Sequence, residues 1–212
     1  MNTESEKTRM RRHIHSLLCR DADGRREESD QITQSVVTLH AWCEATTILA
    51  FLSMDDEIDT SLLIREALLS AKTLALPRAT PTGLEFRFVD SEAIPWEMHA
   101  FGMKEPAKIG PVVDLSDARI YPALIVTPGL AFDPHMGRLG RGKGYYDRFF
   151  GAIAVTLGAG SPIGPQISIG RKSGGRVTAL GVCSERQIVD RVPTGERDVP
   201  VDLVVTGTRI VA

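Results

Sequence analysis

Cysteine is scarce in this chain and poorly placed for cross-linking. Cys19, Cys43 and Cys183 are odd in number, far apart and without a C-x-x-C pair. That spacing encodes neither a disulfide framework nor a zinc-ligand pattern, so a reducing cytoplasm is the expected setting. Long hydrophobic runs are also lacking: the longest, roughly residues 46–54, is well short of the about 20 residues that span a bilayer. The first residues mix Lys7 and Arg11 with Glu4 and Glu6 and lead into no apolar segment that could act as a signal core, so no membrane partner is expected. Nor does charge of one sign dominate. A formal net charge of −2 and a pI near 6.2 argue against a protein that coats nucleic acid, so any basic site must be local. Aromatic residues make up 6% of the chain, too few for an extended base-stacking platform.

What is present is an ordinary globular composition. With 212 residues, 42% of them hydrophobic, the chain is long enough to bury one core and reads as a single domain over residues 1–212. The hydrophobic period switches repeatedly between helical and extended. A basic amphipathic helix is expected over residues 4–20, with Met10, Ile14, Leu17 and Leu18 at helical spacing, and a second over SDQITQSVVTLHAWC, opened by Ser29 or Asp30. TTILAFLS reads as a strand, TSLLIREALLSAK as a helix capped by Asp59 or Thr60, and TLALPRAT and LEFRFVD as strands about a Pro-Thr-Gly turn. YPALIVTPGLAF, TALGVC and DLVVTGT supply further short apolar runs. Strands alternating with helices predict an α/β domain with a mostly parallel central sheet and helices on both faces, a Rossmann-like three-layer architecture. Residues 158–177, rich in Gly, Ser and Pro, read as a mobile loop rather than a linker.

The chemistry concentrates in GRLGRGKG, residues 137–144, where four glycines and three cations fall in eight positions between a strand and a helix starting near Gly144. Ligands of parallel α/β sheets sit beyond the carboxyl ends of the strands. Successive glycines let backbone amides converge, and a helix N-terminus adds unpaired N–H groups, so the stretch suits an anion. Arg138, Arg141 and Lys143 match a polyphosphate in charge, the arginines through planar forks and the lysine as a point charge. The P-loop pattern fails at its last position, where Gly144 replaces the magnesium-binding Ser or Thr, and G-x-G-x-x-G fails at Tyr145. A basic surface turn is the competing reading for such a loop taken alone.

The residues 127–150, TPGLAFDPHMGRLGRGKGYYDRFF, resemble the signature of the 5-formyltetrahydrofolate cyclo-ligase family. Other segments resemble that family in order along the chain: Lys7-x-x-Met10-Arg11, FLSMDDEIDT, LALPRAT, FGMKEP and SERQIVDRVPTGERDVPVDLVVT. Departures are the length of the 158–177 loop, Phe51 in place of a common tyrosine, and Arg197 where a histidine often stands.

The resemblance implies an ATP- and magnesium-dependent enzyme that closes 5-formyltetrahydrofolate to 5,10-methenyltetrahydrofolate, with ADP and phosphate released. It further implies nucleotide contacts from Lys7, Arg11, Arg138, Gly140, Arg141, Gly142, Lys143, Gly144 and Tyr145, and folate contacts from Leu52, Glu57, Phe101, Tyr145 and Tyr146. Lys143, Arg141 and Tyr146 are the expected catalytic residues, and Asp147 and Asp198 the expected magnesium ligands. The carboxylates of Asp55, Asp56 and Asp59 read instead as acids favouring the N-terminus of the next helix. His135 reads as an exposed loop residue. The expected partners are the two small-molecule substrates, 5-formyltetrahydrofolate and ATP, with no nucleic acid, and the expected state is a cytoplasmic monomer. Two rival readings use the same loop: a sugar-phosphate isomerase or acyl-transferase-like α/β enzyme that turns over no ATP, and an RNA-binding module whose affinity would fall steeply with salt.

Overall fold

The computed structural model describes residues 3–18, 22–91, 95–98, 104–108, 110–158 and 176–212. Cys19, Phe101 and nearly all of the 158–177 segment lie outside the described residues. Among the described residues there are eleven strands and five α-helices, and seven of the strands form a sheet of order β11-β10-β9-β6-β1-β2-β3. Its strands are β1 (Thr47–Leu49), β2 (Thr73–Ala79), β3 (Leu84–Val89), β6 (Ala123–Thr127), β9 (Val177–Val182), β10 (Leu203–Val205) and β11 (Ile210–Val211). The five inner strands are parallel and the two edge strands antiparallel, so the expected mostly parallel α/β sheet is what the chain forms. Every residue of β6 is buried, as a central strand covered on both faces requires.

Helices flank both faces. On one, α2 (Ala22–Val37), α3 (His40–Glu44) and α4 (Ser61–Leu69) bring Ile32, Val36, Trp42, Leu63 and Ala67 onto Ile48, Leu74 and Leu124 of the sheet. On the other, α5 (Tyr145–Thr156) packs Phe149, Phe150 and Ile153 against Phe86, Ile125 and Ala179, with the Phe86 and Phe149 ring centroids 4.6 Å apart. The amino-terminal helix α1 (Thr3–Leu18) belongs to neither layer. Its Ile14 and Leu18 bury against Leu130, Ala131, Leu139 and Val192, at the end of the sheet from which the glycine-rich loop emerges. Among the described residues no helix is long and apolar enough to cross a membrane.

Two boundaries differ from the sequence reading. The helix expected to open at Ser29 or Asp30 starts at Ala22 and stops at Val37, before the separate α3. Ser29 is buried within it: its hydroxyl donates to the Arg25 carbonyl at 2.6 Å and accepts the Asp59 N–H at 2.9 Å. A serine satisfied by the preceding turn is compatible with a helix interior and does not mark its start. The strand expected over residues 46–53 shrinks to Thr47–Leu49, because its partners β2 and β6 pair with it only over those rungs.

Phe132 is fully buried and lies flat on two glycines. A Cβ at Gly181 in β9 would fall 2.5 Å from its ring, and one at Gly129 2.6 Å. Gly181→Ala therefore forces the ring or the strand to move, an overpacking that costs about 2 kcal/mol. Thermal melting of the variant should show a midpoint lower by about 6 °C; an unchanged midpoint would mean that the ring has room to shift.

Candidate active site

The carboxyl end of β6 leads through Pro128 and Gly129 into a short hairpin, β7 (Ala131–Phe132) and β8 (Arg138–Leu139), and then into the 140–144 loop that opens α5. The hairpin turn is organised by one buried acid. Asp133 accepts the backbone N–H groups of His135 (2.8 Å), Gly137 (2.9 Å) and Val192 (2.6 Å). Gly137 must be glycine here, since a Cβ would fall 2.5 Å from that carboxylate. Gln187 secures the approach by donating to the carbonyls of Gly129 and Leu130. Gly142 and Gly144 take φ values of +99° and +62°, which side-chain-bearing residues avoid. Gly144 is the N-cap of α5 and offers no side-chain cap, so the first-turn amides remain available to an anion.

Over this loop lies a cavity of about 980 Å³. Every candidate residue named from the sequence lines it, apart from Phe101, which is outside the described residues. The loop supplies Arg138 through Asp147, including Tyr145 and Tyr146; α1 supplies Lys7 and Arg11; the segment after β1 supplies Leu52 and Glu57; the closing segment supplies Asp198. His135 is exposed and does not line the cavity.

The cations are not arrayed as free anion receptors. Lys7 pairs with Asp198 at 2.5 Å, Arg138 with Asp147 at 2.8 Å, Arg11 with Glu4 at 2.9 Å, and Arg141 with both Asp56 (2.6 Å) and Glu57 (3.1 Å). Arg11 also donates from Nε to the Gly140 carbonyl at 3.1 Å, holding the loop to α1. Arg138, read from the sequence as a loop cation, belongs to β8 and its side chain is 3% exposed. Arg148, which the sequence reading passed over, clamps the loop from α5. It donates to the Lys143 carbonyl at 2.8 Å and to that of Thr82 at 3.2 Å, with its guanidinium 5.3 Å from the Tyr145 ring centre.

Titration behaviour follows from these surroundings. Burial raises the Glu57 carboxyl above its ordinary range against the opposing pull of Arg141. Burial pushes Asp56 the same way, but the Arg141 hydrogen bond and charge outweigh it and leave the group lowered. The Tyr146 hydroxyl is buried without a hydrogen-bond partner. Burial, reinforced by the nearby Glu57 charge, pushes it well above the usual tyrosine range, with Arg138 opposing. The phenol therefore stays protonated at neutral pH and does not serve as a phenolate base.

The acid set suits a hard cation that brings other ligands with it. Arg138 and the Val199 N–H both bind Oδ1 of Asp147, while Lys7 and the Gly195 N–H both bind Oδ2 of Asp198. The second oxygen of each carboxylate is uncommitted among the described residues. No group of three or more acidic, His or Cys side chains there forms a metal cage by itself. Magnesium commonly takes one or two carboxylates with substrate phosphates and water, and the donor set fits that mode.

A family model described as the 5-formyltetrahydrofolate cyclo-ligase family matches residues 3–207. The chain is similar to 5-formyltetrahydrofolate cyclo-ligase of Mus musculus, 28% identical over 89% of this chain and 86% of the mouse protein. It is similar to the Saccharomyces cerevisiae protein of the same name, 26% identical over 93% of each. Among solved structures, Aquifex aeolicus 5,10-methenyltetrahydrofolate synthetase superposes with a TM-score of 0.71 at 26% identity, covering 96% of this chain and 91% of that one.

Proposed function

The chain belongs to the 5-formyltetrahydrofolate cyclo-ligase family, and on that premise we propose that it uses ATP and magnesium to convert 5-formyltetrahydrofolate into 5,10-methenyltetrahydrofolate, ADP and phosphate. The observation that carries this reading is a single cavity in which a cationic glycine loop meets the largely covered acid Glu57 and the Tyr145–Tyr146 pair. The loop suits a polyphosphate. A largely covered carboxylate suits the N–H donors of a pterin, and the aromatic pair suits its ring.

A formamide is a poor electrophile. Transfer of the terminal phosphoryl group of ATP to the formyl oxygen makes that oxygen a leaving group; the neighbouring folate nitrogen then attacks the formyl carbon, and phosphate departs as the ring closes. Most of the protein's task is to position two substrates and stabilise charge on the phosphoryl group in transit. In this reading Lys143 and Arg141 face that charge, with Lys7, Arg11, Arg138 and the amides of Gly140, Gly142 and Gly144 holding the nucleotide. Tyr146 donates its O–H toward the reacting centre, and Leu52 and Tyr145 border the folate. Asp147 and Asp198 would hold magnesium through their uncommitted oxygens, the ion supplying charge neutralisation between phosphate groups. A single-domain cytoplasmic monomer acting only on small molecules belongs to the same proposal.

Purified protein mixed with ATP, magnesium and 5-formyltetrahydrofolate is expected to build up the near-ultraviolet absorbance of the methenyl product, and a chelator of divalent metal should stop it. Folded protein that makes no ATP-dependent product would sink the assignment. Phosphate binding without folate turnover would favour the isomerase-like reading.

A further inference from the structure

Asp56 does not line the cavity, yet it makes the shortest contact to Arg141, which does. Its Oδ1 accepts from Arg141 Nη2 at 2.6 Å, and its Oδ2 lies 3.5 Å from Nδ1 of His15 on α1. Beside it, Glu57 Oε1 accepts from Nε and Nη2 of the same arginine at 3.2 and 3.1 Å, while Glu57 Oε2 accepts the Met54 N–H at 3.0 Å. One guanidinium edge is thus shared by two acids from one segment. Nη1 has no partner among the described residues. Arg141 is a third exposed, whereas Asp56 and Glu57 are largely covered.

We propose that Asp56 is a positioning residue that holds Arg141 from behind the cavity wall, so that Arg141 can exchange Glu57 for an anionic nucleotide without leaving the site. The inference rests on the proposed function, in which Glu57 serves the folate and Arg141 the phosphates. It follows from the sharing of the guanidinium. A nucleotide phosphate that draws Arg141 off Glu57 leaves a covered carboxylate short of donors, a costly condition unless another donor arrives. The N–H groups of the pterin are such donors. A folate that engages Glu57 in turn frees the guanidinium edge for phosphate, so each substrate favours the other, and reciprocity requires the two effects to be equal. Without Asp56, Arg141 has only Glu57 as counter-ion and the exchange costs the arginine its hold.

The test is binding of 5-formyltetrahydrofolate to the whole protein with and without a saturating β,γ-imido analogue of ATP, which cannot transfer its phosphoryl group. In the wild-type protein the analogue is expected to tighten folate binding about tenfold. In Asp56→Asn this coupling should fall nearly to unity, and the KM for ATP should rise about tenfold, with kcat lowered as well because Arg141 also faces the phosphoryl group in transit. Asp56→Glu should recover part of the coupling, and the melting temperature should hold, because a partly exposed pair contributes little stability. Should Asp56→Asn fail to fold, Asp56→Ser decides in its place. Wild-type coupling in the variant, or no coupling in the wild-type protein that does bind both ligands, overturns the proposal. Absence of any 5-formyltetrahydrofolate binding by wild-type protein overturns the proposed function instead.

Discussion

Asp147→Asn is expected to lower the melting temperature by about 9 °C, because it removes the counter-ion of a buried guanidinium at a cost of about 3 kcal/mol. The side chain of Arg138 is 3% exposed and its ion pair is with Asp147. Its Nε, moreover, is buried with no hydrogen-bond partner. The sequence suggests a milder result, since a first-turn acid of an exposed helix gains only a few tenths to about 1 kcal/mol from the helix dipole. The structure changes the expectation because the same carboxylate also accepts the Val199 N–H and so ties the closing segment to the loop. Replacing the pair together, Arg138→Met with Asp147→Leu, should be less damaging than Asp147→Asn alone, since no unpaired charge is left inside. A melting point for Asp147→Asn equal to wild type would show that Arg138 is neutralised by something else. Both variants should lose turnover.

The largest loss of turnover without loss of fold is expected from Lys143→Ala. Lys143 is exposed on the 140–144 loop, where Arg148 holds its carbonyl and Arg11 holds that of Gly140. Removing one charge that stabilises a transferring phosphoryl group costs about 3 kcal/mol, or roughly a hundredfold in kcat. Initial rates of methenyl product formation over a range of ATP concentrations would measure it, with a melting curve as control. Turnover equal to wild type at limiting ATP would remove Lys143 from the catalytic group.

The loop and its helix were legible because their information is local. GRLGRGKG followed by YYDRFF carries Gly142 and Gly144, both at positive φ, and the α5 core residues Phe149 and Phe150 within one continuous stretch. The sheet was legible from strands such as ALIVT, buried at every position. What sequence reasoning could not supply was the choice of partners. Lys7 meets Asp198 across 191 positions and Arg141 meets Glu57 across 84; no periodicity encodes such distances. Asp133 and Gln187 were passed over because a carboxylate that binds only backbone amides, or a side-chain amide that binds only backbone N–H and carbonyl groups, leaves no complementary residue type to search for. The start of α2 was misread for a related reason: the polar run GRREE ahead of Ser29 looks like a loop when the serine's burial cannot be seen.

The pairing of cavity cations with carboxylates sets how the site looks from a distance. Closely spaced opposite charges form short dipoles whose field fades faster than that of a bare cation, and dissolved ions erase much of the rest beyond a Debye length of about 8 Å at physiological ionic strength. An approaching polyanion is therefore drawn in weakly until it reaches the rim. Selection happens at contact, where a ligand must match several guanidinium and ammonium groups at once to displace their resident acids. Long anionic chains that offer charge without that geometry meet repulsion from those acids as well as attraction.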